Sequence, residues 1–324
     1  MKVISGIQPS GKIHLGNYFG AVKQHIQLQE AHECFYFIAD YHALTSQRDP
    51  AALRQASDDI ALDYMALGLD KATLYRQSDV PEVQELAWLL NCVTPVGLMQ
   101  RAPAFKEKVE AGLSANMGLF SYPILMAADI LMLGADVVPV GKDQLPHIDI
   151  AQDIAASFNA AFKSDVLKRP EPLLGPIPKV PGTDGQKMSK SYGNTIDVFA
   201  SPAVIKRQVM SIITDSRPVG GPGKWGSDNV SAILDLFVSE TERKLYQADL
   251  EVNGVGYGLL KAAIIEKHEQ LFRNAARRRE FLQDEPLVVQ ETLYEGARRV
   301  RKIARETLAR VRSVVGLPTT WRVS

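Results

Sequence analysis

Only two of the 324 residues are cysteine, Cys34 and Cys92. Two thiols alone build neither a disulfide framework nor a zinc site. Both fall in apolar stretches, which predicts buried free thiols. Long uninterrupted apolar runs are also missing. The best candidate, residues 119–140, carries Pro123, Asp129 and Asp136, and two carboxylates rarely share one spanning helix. A buried helix followed by a buried strand accounts for it, so no membrane partner is expected. Met1-Lys2-Val3-Ile4 runs straight into a glycine-containing turn, with no signal-peptide pattern. A cytoplasmic protein is expected. Internal repeats and low-complexity segments are absent. No Gly-x-Gly-x-x-Gly follows the first apolar run, which removes a dinucleotide-dependent oxidoreductase. Gly220-Gly221-Pro222-Gly223-Lys224 is followed by Trp225, where a P-loop needs Ser or Thr.

Charge is absent in sum but not in distribution. Lys and Arg number 37, as do Asp and Glu. Residues 241–324 hold 16 basic against 11 acidic side chains, and residues 1–240 hold 21 against 26. A basic C-terminal part is compatible with a phosphate-backbone partner, and equally with a solvated helical surface. The 46% hydrophobic and 23% charged shares are those of an ordinary soluble globular chain. The length suggests about two domains.

The first half alternates short apolar runs with helical patterns. Strands are predicted over Lys2–Ser5, Cys34–Ala39, Thr73–Arg76 and Val137–Val140. Helices are predicted from Gly16 to about Ala31, from Asp49-Pro50 to about Leu67, and from Asp143 to about Phe158. Asp as N-cap with Pro at the first helical position is a strong start signal. Residues 165–186 are rich in Pro and Gly and read as loop. After Ser201 the pattern is helical almost throughout, ending in a basic amphipathic helix over Glu291–Val315. The fold class is therefore α/β, a Rossmann-like doubly wound parallel sheet followed by an all-helical domain.

Two segments carry chemistry. Pro9-Ser10-Gly11-Lys12-Ile13-His14-Leu15-Gly16-Asn17 follows the first strand and opens the first helix. Parallel sheets bind ligands at that place, and a helix N-terminus offers free N–H groups and positive dipole to phosphate. His14 and Asn17 can donate hydrogen bonds, and Gly16 permits close approach. The second segment is Lys187-Met188-Ser189-Lys190-Ser191. Two lysines among small hydroxyl residues on a mobile loop suit a clamp on a polyphosphate leaving group.

Together, separated by about 170 residues, these segments resemble the two signatures of the class I aminoacyl-tRNA synthetases. Asn17 departs from the fullest first signature, which ends in a second His, and tryptophan enzymes commonly carry Asn there. Tyr122, Met126 and Asp129 lie at i, i+4 and i+7 on one helix face. Core packing explains the first two but not a carboxylate in an apolar run. An indole N–H, a donor only, suits such a carboxylate, and a thioether suits the flat ring. This helix is similar to the substrate helix of the tryptophan enzymes; tyrosine enzymes tend to carry Gln where Met126 stands. Ser5–Gly11, Asp40–Thr45, Val138–Gln144 and Gly256-Tyr257-Gly258 with Lys261 resemble further family segments. Lys142 replaces the usual Glu.

The resemblance implies ATP-dependent activation of L-tryptophan and its transfer to tRNA(Trp). It implies His14, Asn17, Lys187 and Lys190 as catalytic residues. Gln8, Ser10, Gly16, Asn17, Gly141, Asp143 and Lys187-Met188-Ser189-Lys190-Ser191 would contact ATP. Gln8, His42, Tyr122, Met126, Asp129 and Gln144 would contact tryptophan. Mg²⁺ would be held through ATP phosphates, with no protein metal site. Residues 1–194 would form the catalytic domain, with a dimerisation insertion near 75–125 and a homodimer as the assembly. Residues 195–286 would form a helical anticodon-binding domain, in which Arg277-Arg278-Arg279 could touch phosphate, and residues 287–324 a helix packing back on the catalytic domain. The alternatives are a tyrosine enzyme of the same fold and a synthetase-like RNA-binding regulator.

Overall fold

The computed structural model describes residues 1–102, 112, 115–175, 180–215 and 221–319. Part of the insertion expected near 75–125, and Gly220 of the glycine cluster, lie outside the described residues. The strands are β1 (Lys2–Ile7), β2 (Glu33–Ile38), β3 (Thr73–Arg76), β4 (Val137–Val140) and β5 (Glu171–Leu174). The longer helices are α1 (Lys23–Leu28), α2 (Pro50–Ala66), α3 (Glu82–Asn91), α4 (Met117–Met132), α5 (Leu145–Ala161), α6 (Pro202–Met210), α7 (Asn229–Leu234), α8 (Glu240–Glu251), α9 (Tyr257–Asp284) and α10 (Pro286–Val315). Two compact units emerge. Met1–Gly11, His25–Gly175 and Glu285–Ser324 form the first; Lys12–Gln24 and Pro176–Asp284 form the second.

The first unit is built on a parallel sheet of order β3-β2-β1-β4-β5. Strands β2 and β3 lie on one side of β1, and β4 and β5 on the other. The order therefore reverses between β1 and β4, the topological switch where such sheets open a ligand crevice at their carboxyl ends. β2 is buried from Cys34 to Ile38, as a central strand covered on both faces must be. β5 corrects the expectation that residues 165–186 are all loop. Pro172 lies inside it, and an edge strand tolerates a residue that cannot donate to the ladder.

The helix predicted from Gly16 to Ala31 is not uniform. A single α-turn, Leu15–Asn17, gives way to a π-helical segment, Tyr18–Val22, before α1. The start of α2 follows the sequence: the Asp49 side chain accepts from the backbone N–H of Ala51 and Ala52. A short 3₁₀ turn over Lys142–Gln144 precedes α5. Cys34 is buried, but Cys92, expected to be buried, is exposed. It ends α3 on the face away from Leu86 and Leu90, which enter the core.

α10 is longer than the 291–315 stretch read from its amphipathic period, and begins at Pro286. It packs on β3, α2, α3 and α4 within the first unit. Arg301 and Arg305 both donate to Glu82, which is only 7% exposed, Arg312 donates to Glu85 and Arg299 to Glu33. Four of the arginines behind the C-terminal basic excess are therefore engaged in ion pairs with the sheet unit. No helix among the described residues is long and apolar enough to cross a membrane.

His25 is buried with its ring stacked on Tyr36 at 4.4 Å, and its Nδ1 has no hydrogen-bond partner among the described residues. Burial holds the imidazole down to about 4. An unfolded chain takes up this proton near pH 6.5, and the folded chain only near pH 4. Stability is thus lost as pH falls through that window, by about 2 kcal/mol from this group at pH 5. His25→Phe keeps the stack and removes the proton. The stability difference between the native sequence and this variant should shift by that amount between pH 7.5 and pH 5 in urea unfolding; a constant difference refutes the assignment.

Candidate active site

In the first unit the candidate residues gather at the carboxyl ends of the parallel strands. Gln8 follows β1, His42 follows β2, Gln77 follows β3, and Gly141, Asp143 and Gln144 follow β4. All strands run the same way, so these ends lie along one edge. Gln8 and Ser10 line a cavity of about 390 Å³ with Gly11, Ala43, Ser46 and Ala52. Asp143 Oδ1 lies so close to Gly141 that a Cβ there would meet it at 2.6 Å; glycine allows the side chain to fold over its own turn. Gln8 and Gln144 are exposed.

α4 brings Tyr122, Met126 and Asp129 to this edge. Pro123 within it removes one N–H, and in the first turn the Leu119 N–H is capped by Asn116 Oδ1. Asp129 is 3% exposed, yet both carboxylate oxygens are satisfied. Gln77 Nε2 donates to Oδ1 at 3.0 Å and to Oδ2 at 2.8 Å, and His42 Nε2 lies 3.1 Å from Oδ2. Burial pushes the Asp129 carboxyl above the usual carboxylate range, and the His42 and Gln77 hydrogen bonds oppose it. Tyr122 is half-buried, with its hydroxyl 3.1 Å from His147 Nε2 and its ring edge-on to His42. Met126 is half-buried beside it. The structure therefore joins His42, Tyr122 and Asp129, and adds two residues the sequence did not single out, Gln77 and His147.

The second unit holds Lys12–Asn17 of the first signature segment and all of Lys187–Ser191, and within it the two touch. Ile13–Leu15 pairs with Ile196–Val198: Leu15 N–H donates to Ile196 O at 2.9 Å, Val198 N–H donates to Ile13 O at 3.0 Å, and His14 faces Asp197. Gly16 N–H lies 3.2 Å from Met188 Sδ. A Cβ on Gly16 would meet the His14 ring at 2.9 Å and the Met188 Cβ at 3.3 Å, so any other residue here would have to displace side chains where the two segments meet. Asp197 is clamped in turn: Gln208 binds its backbone N–H and its carboxylate at 3.0 Å each, and His268 Nε2 meets its carbonyl at 2.9 Å.

His14 caps the Leu15 turn in extended conformation and its own N–H donates to Asn17 Oδ1 at 3.2 Å. The ring is 6% exposed with Nδ1 unpartnered among the described residues. Burial first, then the Lys190 ammonium, hold its imidazole down to about 4 against the opposing Asp197 carboxylate. The ring is neutral at pH 7, a dipolar donor rather than a cation. Within the lysine loop, Met188 is buried while Lys187 and Ser191 are exposed and Ser189 and Lys190 half-buried.

Asn194, which no sequence motif marks, organises that loop. It is 2% exposed. Its Oδ1 accepts from Ser189 N–H at 2.8 Å, and its Nδ2 donates to Asp184 Oδ1 at 2.7 Å and to Lys187 O at 3.2 Å. A Cβ on Gly182 would lie 2.2 Å from that Nδ2. The guanidinium of Arg279 lies over the Phe199 ring at 5.4 Å, so one arginine of the 277–279 run is engaged within its own unit.

Comparison with known proteins gives the family. Residues 1–273 match the family model described as tRNA synthetases class I (W and Y). The tryptophan–tRNA ligase of Rhodopirellula baltica is 48% identical, over 98% of this chain and all of its own. That of Fusobacterium nucleatum is 46% identical, over 97% of each. The tryptophanyl-tRNA synthetase of Campylobacter jejuni, solved with ADP and tryptophan, superposes with a TM-score of 0.91 at 44% identity, over 98% of this chain and all of its own. The chain belongs to the class I tRNA synthetases of the tryptophan and tyrosine family.

Proposed function

We propose that this chain activates L-tryptophan with ATP to tryptophanyl-adenylate and transfers it to tRNA(Trp), releasing pyrophosphate and AMP. The observation that carries the reading is the junction of the two signatures, with Gly16 N–H against Met188 Sδ and His14 paired to Asp197. It puts two lysines and a neutral imidazole donor on one scaffold. Tryptophan as the amino acid is supported by relatives named tryptophan–tRNA ligase at 46–48% identity, and by a buried carboxylate beside a thioether on α4.

In the first step the tryptophan carboxylate attacks the α-phosphorus of ATP and pyrophosphate leaves. No protein nucleophile is required; positioning and charge stabilisation carry the step. His14 donates to a phosphoryl oxygen, and Asn17, whose Oδ1 is turned to the His14 amide, does so through Nδ2. Lys187 and Lys190 neutralise the leaving pyrophosphate, and the backbone of Met188-Ser189-Lys190-Ser191 lies along the nucleotide. Gln8, Ser10, Gly16, Gly141 and Asp143 complete the ATP contacts. Mg²⁺ would be carried on the ATP phosphates rather than by protein ligands and would supply charge neutralisation there. Gln8, His42, Tyr122, Met126, Asp129 and Gln144 take the amino acid. In the second step the terminal 2′-hydroxyl of tRNA attacks the adenylate. The helical segment 195–286 is assigned to the anticodon, and 287–324 to the catalytic body. A cytoplasmic homodimer about the 75–125 insertion is proposed, which would cover Trp88, Val96 and Met117, each more than 60% exposed.

Amino-acid-dependent ATP–pyrophosphate exchange across all twenty amino acids, without tRNA, tests the reading. Exchange is expected with tryptophan alone. Exchange with tyrosine instead overturns the pocket assignment, and exchange with none overturns the activity.

A further inference from the structure

We infer that Gln77 is a positioning residue for amino-acid selection: its amide fixes the Asp129 carboxylate in the orientation that accepts the indole N–H. The inference rests on the tryptophan reading above and extends it to a side chain outside the assigned contacts.

The amide's orientation follows from its partners. Gln77 Oε1 accepts the backbone N–H of Tyr41 at 3.2 Å, a group that can only donate. The other end of the amide is therefore Nε2, and it meets both oxygens of Asp129. Gln77 is fully buried, so no water competes for those hydrogens. His42 approaches Oδ2 alone. Each carboxylate oxygen has about two acceptor sites. Oδ2 has both filled, and Oδ1, which accepts from Gln77 among the described residues, retains one for a ligand.

The frame behind this arrangement is Asp40. Its Oδ1 accepts the N–H of Tyr41 and of Ser78 at 3.0 Å each, and its Oδ2 accepts from the Ser78 hydroxyl. Asp40 thus ties the turn after β2, which carries His42, to the turn after β3, which carries Gln77. Both Asp129 partners are held to one node, so the carboxylate cannot swing without breaking hydrogen bonds in a buried place. A donor-only ligand group, offered to an oxygen already aimed at it, pays little reorganisation on binding. A residue that fixed the fold alone would not discriminate between ligands with and without that N–H.

The test compares tryptophan with 3-(3-benzothienyl)alanine, whose sulfur replaces the indole N–H at nearly the same shape, in ATP–pyrophosphate exchange. Gln77→Met removes the donor and approximates the volume. Tryptophan KM should rise on the order of tenfold or more, with kcat changed less than about threefold and the analogue's KM nearly unchanged. The preference for tryptophan over the analogue should therefore fall by about the factor of the KM rise. If Gln77→Met does not fold, Gln77→Asn, which withdraws the amide by one methylene, is read the same way. Equal losses with both substrates, or an unchanged preference, overturn the inference. No exchange with tryptophan by the native chain overturns the reading beneath it as well, which separates the two failures.

Discussion

His14→Ala should lower kcat for tryptophan-dependent pyrophosphate exchange by roughly 10²–10³, the usual loss when one preorganised transition-state donor is removed. Tryptophan KM should move by less than about threefold, because the interaction is made to charge that develops only in the transition state. The imidazole is buried, its Nδ1 has no partner among the described residues, and it is held down to about 4, so at pH 7 it acts as a neutral N–H donor. His14→Asn, which offers a neutral N–H from a shorter side chain, should recover part of the loss. Were positive charge the contribution, His14→Lys would rescue better than His14→Asn, and the assignment would fail. A parallel large rise in tryptophan KM would instead mean that the ring only packs against Gly16, whose built Cβ would lie 2.9 Å from it.

Legibility of the sequence followed the locality of the physics. β2 could be read because a strand buried on both faces shows as an unbroken apolar run, and the start of α2 because Asp49-Pro50 is a capping signal with its partners two and three residues away. β5 could not, because its reason for existing is an edge of β4, 34 residues earlier, while its own sequence carries Pro172. The π-helical segment at Tyr18–Val22 was equally silent: Tyr18 and Phe19 are fixed edge-on to Phe272 and Phe237, distant in sequence. In the site, the two signatures were legible as motifs, but their direct contact through Met188 was not. Gln77 and Asn194 were missed for one reason. Each is a buried amide whose task is set by groups far along the chain or by backbone atoms, and no local pattern marks that. A signal did exist for Gln77. Asp129 in its apolar run marks a buried carboxylate in need of donors, and the carboxyl ends of the strands are where such donors sit.

Gly296→Ala should destabilise the sheet unit by about 3 kcal/mol, the upper part of the ordinary range for overpacking a close contact. Propensity alone argues the other way, since Gly to Ala in a helix interior gains about 1 kcal/mol. Geometry decides the sign. A Cβ on Gly296 would lie 1.9 Å from the Leu74 carbonyl oxygen and 2.8 Å from its carbon. Both are backbone atoms of β3 and cannot rotate aside as a side chain would. α10 must retreat, and its buried Ala297, Val300, Ala304 and Leu308, all part of the core cluster, lose contact together. The Arg301 and Arg305 bonds to the buried Glu82 lengthen with them, leaving a carboxylate short of partners. At about 2–4 °C per kcal/mol for a unit of this size, Tm should fall by roughly 10 °C in a thermal melt. Gly258→Ala, near the start of α9 with nothing within 4 Å of the added methyl, should be neutral or slightly stabilising in the same assay. Equal Tm values for the two variants would mean that α10 does not approach β3 as closely as this register requires.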